Sequence, residues 1–363
     1  RTFFSCIFES VDIRLKNAAK EGTIAPYGPK LGPIGMIETL EAAKKHPHYS
    51  APLGPRQARG VASGFWFNIG GETSSSITIN EDGTVGLTLG TPDIGGSRAS
   101  MAMMASEELG IPMEKIKPVI GDTNSLGFNF LTGGSRATFS TGTTVVKSTR
   151  EAIEELKKRA ALLWEVTLEQ VEWIDGHARL ISGNEPKTMS LSQIAKQAGK
   201  TGGPIMANCS MNVTGAGPSL GTHIVDVEVD EETGRVSIVR YTAIQDAGKA
   251  IHPAYVEGQL QGGAVQGIGW ALNEEYIYND KGELENTGFL DYRIPVCSDV
   301  PMIDTVIVEV PNPNHPYGVR GVGETPIIPP LAAISNAVSR ATNKRFTELP
   351  LSPPKVLAKL MHG

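Results

Sequence analysis

Length, composition and charge limit what this chain can be. Its 363 residues are 40% hydrophobic and 20% charged, values typical of a folded globular protein that exclude a mostly disordered chain and a coiled coil. Lys and Arg total 33 and Asp and Glu total 39, so the net charge is −6. Nucleic acid is therefore not expected as a partner.

Cysteine usage and apolar patterning predict a soluble, cytoplasmic protein. Cys6, Cys209 and Cys297 are far apart and lack CxxC spacing, which predicts neither a disulfide framework nor a zinc or iron–sulfur site and favours a reducing compartment. The most apolar stretch, 262–272, is shorter than the roughly 20 residues needed to span a bilayer. The N-terminus shows no cleavable signal.

The first half of the chain predicts an arm, a hairpin and two helices. Residues 1–60 form an extended arm, with a short helical pattern at 11–20 followed by six prolines that prevent long regular elements. Two strand-like runs at 73–89 flank an Asp-Gly turn and predict a hairpin. Helices are expected at 98–109 and 137–163, each after a glycine-rich turn.

The second half predicts a small lobe and a second set of strands and helices. Strands near 170–181 and a helix beginning at Ser190 form the small lobe at 165–205. The remaining elements are a strong hairpin, a small-residue helix, a strand and a proline-initiated helix, at 223–246, 255–272, 304–310 and 329–341. The fold class is therefore α+β, with mixed sheets, hairpins and packed helices in two lobes, 61–215 and 216–363.

Two glycine-rich turns are candidate anion sites. The turn 91–98 contains Gly95 and Gly96, follows a strand and opens a helix, so its amides can face an anionic group; the alternative is a serine-capped turn. The turn 132–136 repeats the design with Gly133, Gly134 and Ser135, and Arg136 adds a fork of donors suited to phosphate. Together they favour a phosphate-bearing ligand, while the absence of GxGxxG and GxxxxGK[ST] argues against Rossmann and P-loop proteins.

Polar side chains in two later segments are candidate functional groups. Gln259 and Gln266 lie on the small-residue helix, where an amide can pair with a heterocycle edge or serve as a satisfied core glutamine. Glu324 lies between Gly323 and a proline, before a mostly apolar helix. A carboxylate in an apolar site can act as a general base; the alternative is a carboxylate that only stabilises a helix N-terminus.

Other chemistries have little support in the sequence. His46 and His48 lie in the proline-rich arm without a completing ligand pair, so no protein-ligated metal is expected. A GxSxG elbow and a legible Cys–His pairing are absent. The aromatic run 65–67 either lines a substrate pocket or, as the favoured interpretation, forms part of a buried strand.

Four segments carry a resemblance to a known family. The segments are TPDIGGSR, TGGSRATFSTG, IHPAYVEGQLQGGAVQGIGW and GVRGVGETPIIPPLAAISNAV. In their order and spacing, the chain resembles the molybdopterin-binding large subunit of the xanthine dehydrogenase and aldehyde oxidoreductase family of molybdenum hydroxylases. The resemblance extends from about residue 11 to 357. The resemblance implies an oxidoreductase that hydroxylates an aldehyde or an N-heterocycle with oxygen derived from water.

The resemblance also implies roles for particular residues. Glu324 matches the catalytic glutamate and Gln259 a pterin-contacting glutamine. The segment Gly133, Gly134, Ser135 and Arg136 matches a backbone cradle for the pterin and its phosphate, and the implied cofactor contacts also include Gly95, Gly96 and Gly323. The pterin dithiolene holds the molybdenum without a protein ligand, and a cytosine dinucleotide form of molybdopterin is expected.

The resemblance further implies partners. An iron–sulfur subunit with [2Fe-2S] clusters and an FAD subunit would carry the electrons away, because this chain has no CxxC pattern for a cluster. The N-terminal half of the large subunit would complete the active site, a small molecule is the substrate, and a homo-oligomer is left open.

The chain departs from the family pattern in three ways. Gly96 stands where the family usually has a glutamine close to the metal, so the surroundings of the metal can differ. Family large subunits are roughly twice as long, and the first ten residues, RTFFSCIFES, match nothing expected upstream. A non-catalytic pterin-binding module and an unliganded fragment with an exposed apolar docking surface are therefore the alternatives to a catalytic half-subunit.

Overall fold

The computed structural model describes residues 10–181 and 186–362, so Cys6 and most of the first ten residues lie outside the described chain. The described residues form two compact units. Unit 1 combines the residues up to Phe67 with Gly217–Asn312 and the chain from Val322 onward, and unit 2 combines Asn68–Ala216 with Pro313–Gly321. Each unit contains sheets and packed helices, and the predicted α+β class is confirmed.

Helices and strands occur throughout both units. The α-helices of the described residues are α1 (Ser10–Asn17), α2 (Met36–Lys45), α3 (Pro47–Ser50), α4 (Ser97–Leu109), α5 (Gly142–Trp164), α6 (Leu191–Ala195), α7 (Ala198–Thr201), α8 (Pro253–Leu272), α9 (Ile328–Thr342) and α10 (Pro353–His362). The strands are β1 (Gln57–Trp66), β2 (Gly71–Ile79), β3 (Val85–Leu89), β4 (Ile116–Ile120), β5 (Val171–Ile174), β6 (His177–Leu180), β7 (Thr188–Ser190), β8 (Ile205–Val213), β9 (Ser219–Val229), β10 (Val236–Asp246) and β11 (Ile303–Val308).

Shorter helical turns connect some of these elements. One-turn 3₁₀ helices span Met113–Lys115, Leu168–Gln170 and Thr325–Ile327, and a π-helical turn at Ala137–Thr141 leads into α5. The predicted hairpins at 73–89 and 223–246 and the predicted helices at 98–109, 137–163, 255–272 and 329–341 are confirmed, apart from small differences at their ends.

Unit 1 is built on a mixed sheet with helices on both faces. The strand order is β1-β9-β10-β11, and β10 and β11 are parallel while the other pairs are antiparallel. Side chains alternate along β9: Val225 and Val227 pack with α8 and α9, while Ile224 packs with α1 and α2. This alternation is the period-2 pattern of a sheet that is covered on both sides.

The segment predicted as an irregular arm contains regular structure that packs in unit 1. Helix α2 lies between Pro33 and Pro47 and buries Thr39, Leu40 and Ala43, and β1 already begins at Gln57. The prolines bound these elements instead of interrupting them, because proline is tolerated before a helix and in its first turn. This segment therefore contributes buried side chains to the core of unit 1, which an extended arm would not do.

Unit 2 has a four-stranded and a three-stranded sheet. The first sheet has the order β4-β3-β2-β8, with β3 and β4 parallel. The second, β5-β6-β7, belongs to the predicted small lobe, and Ser190 caps α6 in a reciprocal pair with Gln193. Helix α6 ends at Ala195, and a separate short helix, α7, follows it.

The two units do not coincide with the predicted lobes. Strand β1 pairs with β9 along its whole length, which places residues 61–66, predicted for the first lobe, in unit 1. Residues 313–321 belong to unit 2, where Tyr317 donates to the Glu108 carboxylate at 3.0 Å. Long-range pairing, which local sequence patterns do not report, sets both boundaries.

Candidate active and cofactor-binding site

The first glycine turn lies in unit 2, where β3 leads into α4. Gly95 and Gly96 have φ values of 63° and 76°, in the left-handed region that glycine adopts without strain. Gly96 is the N-cap residue of α4 and has no side chain with which to cap it. The serine-cap interpretation is therefore wrong: Ser97 is already inside the helix, and its hydroxyl donates to the carbonyl of Pro92 at 3.4 Å.

The amides of the first turn of α4 are already engaged. Those of Ser97 and Ala99 donate to carbonyls within the turn, and that of Arg98 donates to the Asp93 carboxylate at 3.0 Å. Asp93 thus supplies the negative charge that a helix N-terminus favours. In the described part of the chain, the amides of the Gly95–Gly96 pair make no hydrogen bond, so they are the donors this turn can offer a ligand.

The second glycine turn, also in unit 2, is closed by Arg136. This side chain is 1% exposed, and its Nε donates to the carbonyl of Gly70 at 2.6 Å. Its Nη2 donates to the carbonyl of Glu72 at 2.6 Å and its Nη1 to that of Phe130 at 2.9 Å. The guanidinium serves backbone carbonyls, so the expected phosphate contact through its donor fork is replaced by a role in holding the turn.

Local backbone geometry completes this turn. Gly134 and Ser135 have φ values of 69° and 54°, and the carbonyl of Gly134 accepts the amide of Ile69 at 2.9 Å. Gly321, the first glycine of the GVGE segment, packs so closely here that a Cβ at this position would lie 2.6 Å from Ser135 Cβ. Unit 2 therefore brings the GGSR turn and the start of the GVGE segment together.

Helix α8 of unit 1 has one face that admits close approach. A Cβ at Gly263 would lie 3.0 Å from Pro326 Cβ, and one at Gly267 would lie 2.6 Å from the carbonyl oxygen of Ile327. The turn that follows Glu324 therefore packs directly on α8. Gln259 precedes Gly263 by four residues, which places it on the same face one turn closer to the N-terminus.

Glu324 precedes the 3₁₀ turn that leads into α9. It is the N-cap residue of that turn, and its side chain does not cap it. The side chain is half-buried, and the following Thr325 and Pro326 are buried. Its position directly before this turn fits both a general base and a carboxylate that only stabilises a helix N-terminus. Glu324 takes part in a polar interaction, so this residue is not without a partner.

Sequence reasoning missed a side chain that contacts this segment. Gln245, at the end of β10, is fully buried, and its Nε2 donates to the carbonyl of Val322 at 3.3 Å. The same Nε2 lies within hydrogen-bonding distance of Ser219 Oγ, at 3.2 Å. Its only local signal is a polar residue at the end of an apolar strand, directly before Asp246.

The aromatic run 65–67 lies at the end of β1 and just after it. Phe65 and Phe67 are each 46% exposed, and Phe65 stacks on Tyr27 with ring centroids 6.0 Å apart. The expected buried core strand is therefore wrong for these two phenylalanines, since β1 reaches the surface of unit 1 at this end.

The predicted site residues are divided between the units. Gly95, Gly96 and the GGSR turn lie in unit 2, whereas Gln259, Gly323 and Glu324 lie in unit 1. Within residues 10–181 and 186–362, no three His, Cys, Asp or Glu side chains are grouped so that they could hold a metal ion. None of the helices described there combines the length and the apolar character required to cross a bilayer.

Comparison with known proteins defines the class to which this fold and site belong. The profile of the molybdopterin cofactor-binding domain matches residues 38–301. The xanthine dehydrogenase molybdenum-binding subunit of Escherichia coli O157:H7 is 31% identical over 369 residues, covering 96% of this chain and 49% of that protein. The chain therefore belongs to the molybdopterin cofactor-binding domain family, and over nearly its whole length it is similar to the molybdenum-binding subunit of a xanthine dehydrogenase.

One further relative and one solved structure are also similar to this chain. The nicotine 6-hydroxylase large subunit of Paenarthrobacter nicotinovorans is 31% identical, with 84% of this chain and 38% of that protein covered. The crystal structure of quinoline 2-oxidoreductase from Pseudomonas putida 86 shares the fold with a TM-score of 0.83 at 24% identity, covering 97% of this chain and 49% of that one. The chain thus spans about half the length of the relatives it matches, or less.

Proposed function

We propose that this chain is the C-terminal part of the large subunit of a molybdenum hydroxylase. The reaction is the oxidation of an aldehyde or an N-heterocycle with oxygen derived from water, and Glu324 is the general base. The observation that carries this proposal is the placement of Glu324 in a segment held by Gln245 on one side and packed on α8 on the other.

Several groups suit a bound molybdopterin. The amides of Gly95, Gly96 and Gly133 and the side-chain amide of Gln259 make no hydrogen bond within the described residues. Such neutral donors and acceptors match the edges of a pterin and the oxygens of its phosphate. We assign these four residues to cofactor binding, together with the backbone of Gly134, Ser135 and Gly323, while Arg136 holds the GGSR turn in shape.

Glu324 has the properties that proton transfer requires. The chemistry supplied by the bound cofactor is a two-electron oxidation and the activation of a water oxygen. A Glu324 carboxylate oxygen accepts the proton that this oxygen loses, and the short 3₁₀ turn after Glu324 keeps the backbone of the base in place. Positioning matters because proton transfer needs heavy atoms within about 2.6–3.2 Å of each other.

The rest of the enzyme is proposed to lie in other chains. An N-terminal half of the large subunit completes the site, and an iron–sulfur subunit with [2Fe-2S] clusters and an FAD subunit accept the electrons. We also propose the cytosine dinucleotide form of the cofactor and a cytoplasmic complex, since the cysteine usage favours a reducing compartment. The names of two relatives, a molybdenum-binding subunit and a large subunit, support assembly with other chains.

The test compares two isosteric substitutions in the co-expressed complex. Glu324→Gln removes the base, whereas Glu231→Gln removes a carboxylate from an exposed turn of unit 1. With xanthine and benzaldehyde as substrates, Glu324→Gln is expected to lower kcat by about 10²–10⁴-fold, and Glu231→Gln to leave it unchanged. Molybdenum measured by elemental mass spectrometry should be equal in both variants.

Other outcomes would contradict the proposal. Normal turnover by Glu324→Gln would remove Glu324 from the reaction. Absence of molybdenum and pterin from the unmodified complex would instead favour the unliganded fragment, in which Glu324 has no chemical role.

A further inference from the structure

The side chain of Gln245 is held in place from behind. Its Nε2 contacts the hydroxyl of Ser219 at 3.2 Å, and that hydroxyl donates to the carbonyl of Asp246 at 2.7 Å. Gln245, Ser219 and Asp246 are all fully buried in unit 1. A side chain fixed in this way offers its remaining donor in one direction, toward the carbonyl of Val322 at 3.3 Å.

The two ends of the Gln245 amide are used unequally. Its Oε1 is buried and has no hydrogen-bond partner among the described residues. A buried acceptor without a partner carries a desolvation cost that an apolar side chain of similar size would avoid. This glutamine therefore contributes to the folded structure through its Nε2 donor. Of the two bonds that Nε2 makes, the one to the carbonyl of Val322 leads outside the sheet.

The residue after Glu324 packs on the same pair of strands. Gly221 of β9 faces Gln245 of β10 in the strand register. A Cβ at Gly221 would lie 3.7 Å from Thr325 Cγ2 and 3.8 Å from Gln245 Cβ. Since Thr325 is fully buried, the chain is anchored to the β9–β10 pair both before and after Glu324.

We propose that Gln245 is a positioning residue for Glu324. Its bond to Val322 holds the backbone two residues before the carboxylate, while the packing of Thr325 holds the backbone one residue after it. This inference rests on the proposed function, in which Glu324 is the base. Loss of the bond lets the 322–324 segment move, and small displacements of a reacting group lower kcat steeply.

The test pairs Gln245→Met with Gln261→Met. Both substitutions remove a glutamine Nε2 that donates to a backbone carbonyl in unit 1, because Gln261 donates to the carbonyl of Ile303 at 3.1 Å. Amide hydrogen exchange of a peptide covering 320–327 is measured on the unloaded chain. Gln245→Met is expected to raise this exchange, whereas Gln261→Met leaves it at the level of the unmodified chain.

The kinetic arm uses the assembled complex with xanthine and benzaldehyde. Gln245→Met is expected to lower kcat by about 10- to 100-fold, with KM changed less than kcat, and Gln261→Met to stay within about twofold. A purely structural role for Gln245 would lower the thermal midpoint of Gln245→Met and leave its kcat per folded, molybdenum-loaded enzyme unchanged, which would overturn the positioning role. If Gln245→Met does not fold, Gln245→Asn replaces it, since its amide is one methylene too short to reach Val322.

The outcomes separate this inference from the proposed function. If Glu324→Gln retains turnover, the proposed function fails whatever Gln245 does. If Glu324→Gln abolishes turnover while Gln245→Met equals Gln261→Met in both exchange and kcat, only the positioning role is overturned.

Discussion

The guanidinium of Arg59 binds both carboxylate oxygens of Asp226, with Nε 2.7 Å from Oδ1 and Nη2 2.8 Å from Oδ2. The two residues face each other on β1 and β9. His48 of α3 places its Nε2 3.1 Å from Oδ2, and Arg59 also donates to the carbonyl of Ala51 at 2.9 Å. This buried network ties the chain around α3 to the sheet of unit 1.

Asp226→Asn is expected to lower the free energy of unfolding at pH 7 by about 3–5 kcal/mol, because it leaves the buried positive charge of Arg59 without its partner. Burial raises the pKa of Asp226, but the hydrogen bonds and charges of His48 and Arg59 outweigh burial and leave that pKa below its usual value. The stabilisation is therefore present above pH of about 4 and is lost as the pH falls through the lowered pKa.

Denaturant unfolding at several pH values checks this, with Asp304→Asn as the control. Asp304 is 61% exposed in its pair with His46, and its loss should cost less than about 1 kcal/mol. Equal effects of the two substitutions would contradict the role given to the Asp226 network.

The buried histidine of β9 predicts acid lability of unit 1. His223 Nδ1 lies 2.8 Å from the hydroxyl of Tyr241, and burial lowers the pKa of His223 to about 3. As the pH falls from 6.5 toward 3, the unfolded chain takes up a proton that the folded chain does not, so stability falls over this range and is unaffected above it.

His223→Phe is expected to remove the proton that the unfolded chain takes up at this residue. The thermal midpoint of this variant should therefore change less between pH 6.5 and pH 4 than that of the unmodified chain. His362→Phe, at an exposed position of α10, should retain the slope of the unmodified chain. Identical slopes for both variants would show that His223 is not the group that titrates.

The hydrogen bonds of Arg136 to backbone carbonyls predict that lysine cannot replace this arginine. A lysine has one ammonium group and cannot reach the carbonyls of Gly70, Glu72 and Phe130 at once. Arg136→Lys is expected to destabilise unit 2 by about 3 kcal/mol, since buried carbonyls lose charge-assisted bonds. Arg98→Lys is the control, because Arg98 is 50% exposed beside Asp93. Limited proteolysis near the GGSR turn should detect the first change and not the second.

Two glycines of α8 predict opposite effects of the same substitution. A Cβ at Gly267 would lie 2.6 Å from Pro330 Cγ and from the carbonyl oxygen of Ile327, whereas a Cβ at Gly262 meets nothing within 4 Å. Gly267→Ala is therefore expected to lower the free energy of unfolding by about 1–3 kcal/mol. Gly262→Ala should raise it by about 0.4–1 kcal/mol by reducing the freedom of the unfolded chain. Denaturant midpoints that change in the same direction would contradict the packing described for this face.

The sequence by itself determined the elements whose signals are local. The Asp-Gly turn predicts the β2–β3 hairpin, and the alternation along 223–246 predicts the β9–β10 hairpin, because turn chemistry and a period of two are properties of neighbouring residues. The long helices follow in the same way from their period. The GVGE segment and the glycine turns also carry the family resemblance, so the candidate base could be chosen before any fold was known.

Only the tertiary structure decided which side chains meet. Residue 118 is a proline, yet β4 forms because it is an edge strand that pairs with β3 alone. Gln245 reaches Val322 across 77 residues of chain, and the guanidinium of Arg136 turns inward to carbonyls of β2 and its flanks. Such contacts depend on which distant segment lies alongside, and local periodicity and turn composition carry no information about that choice.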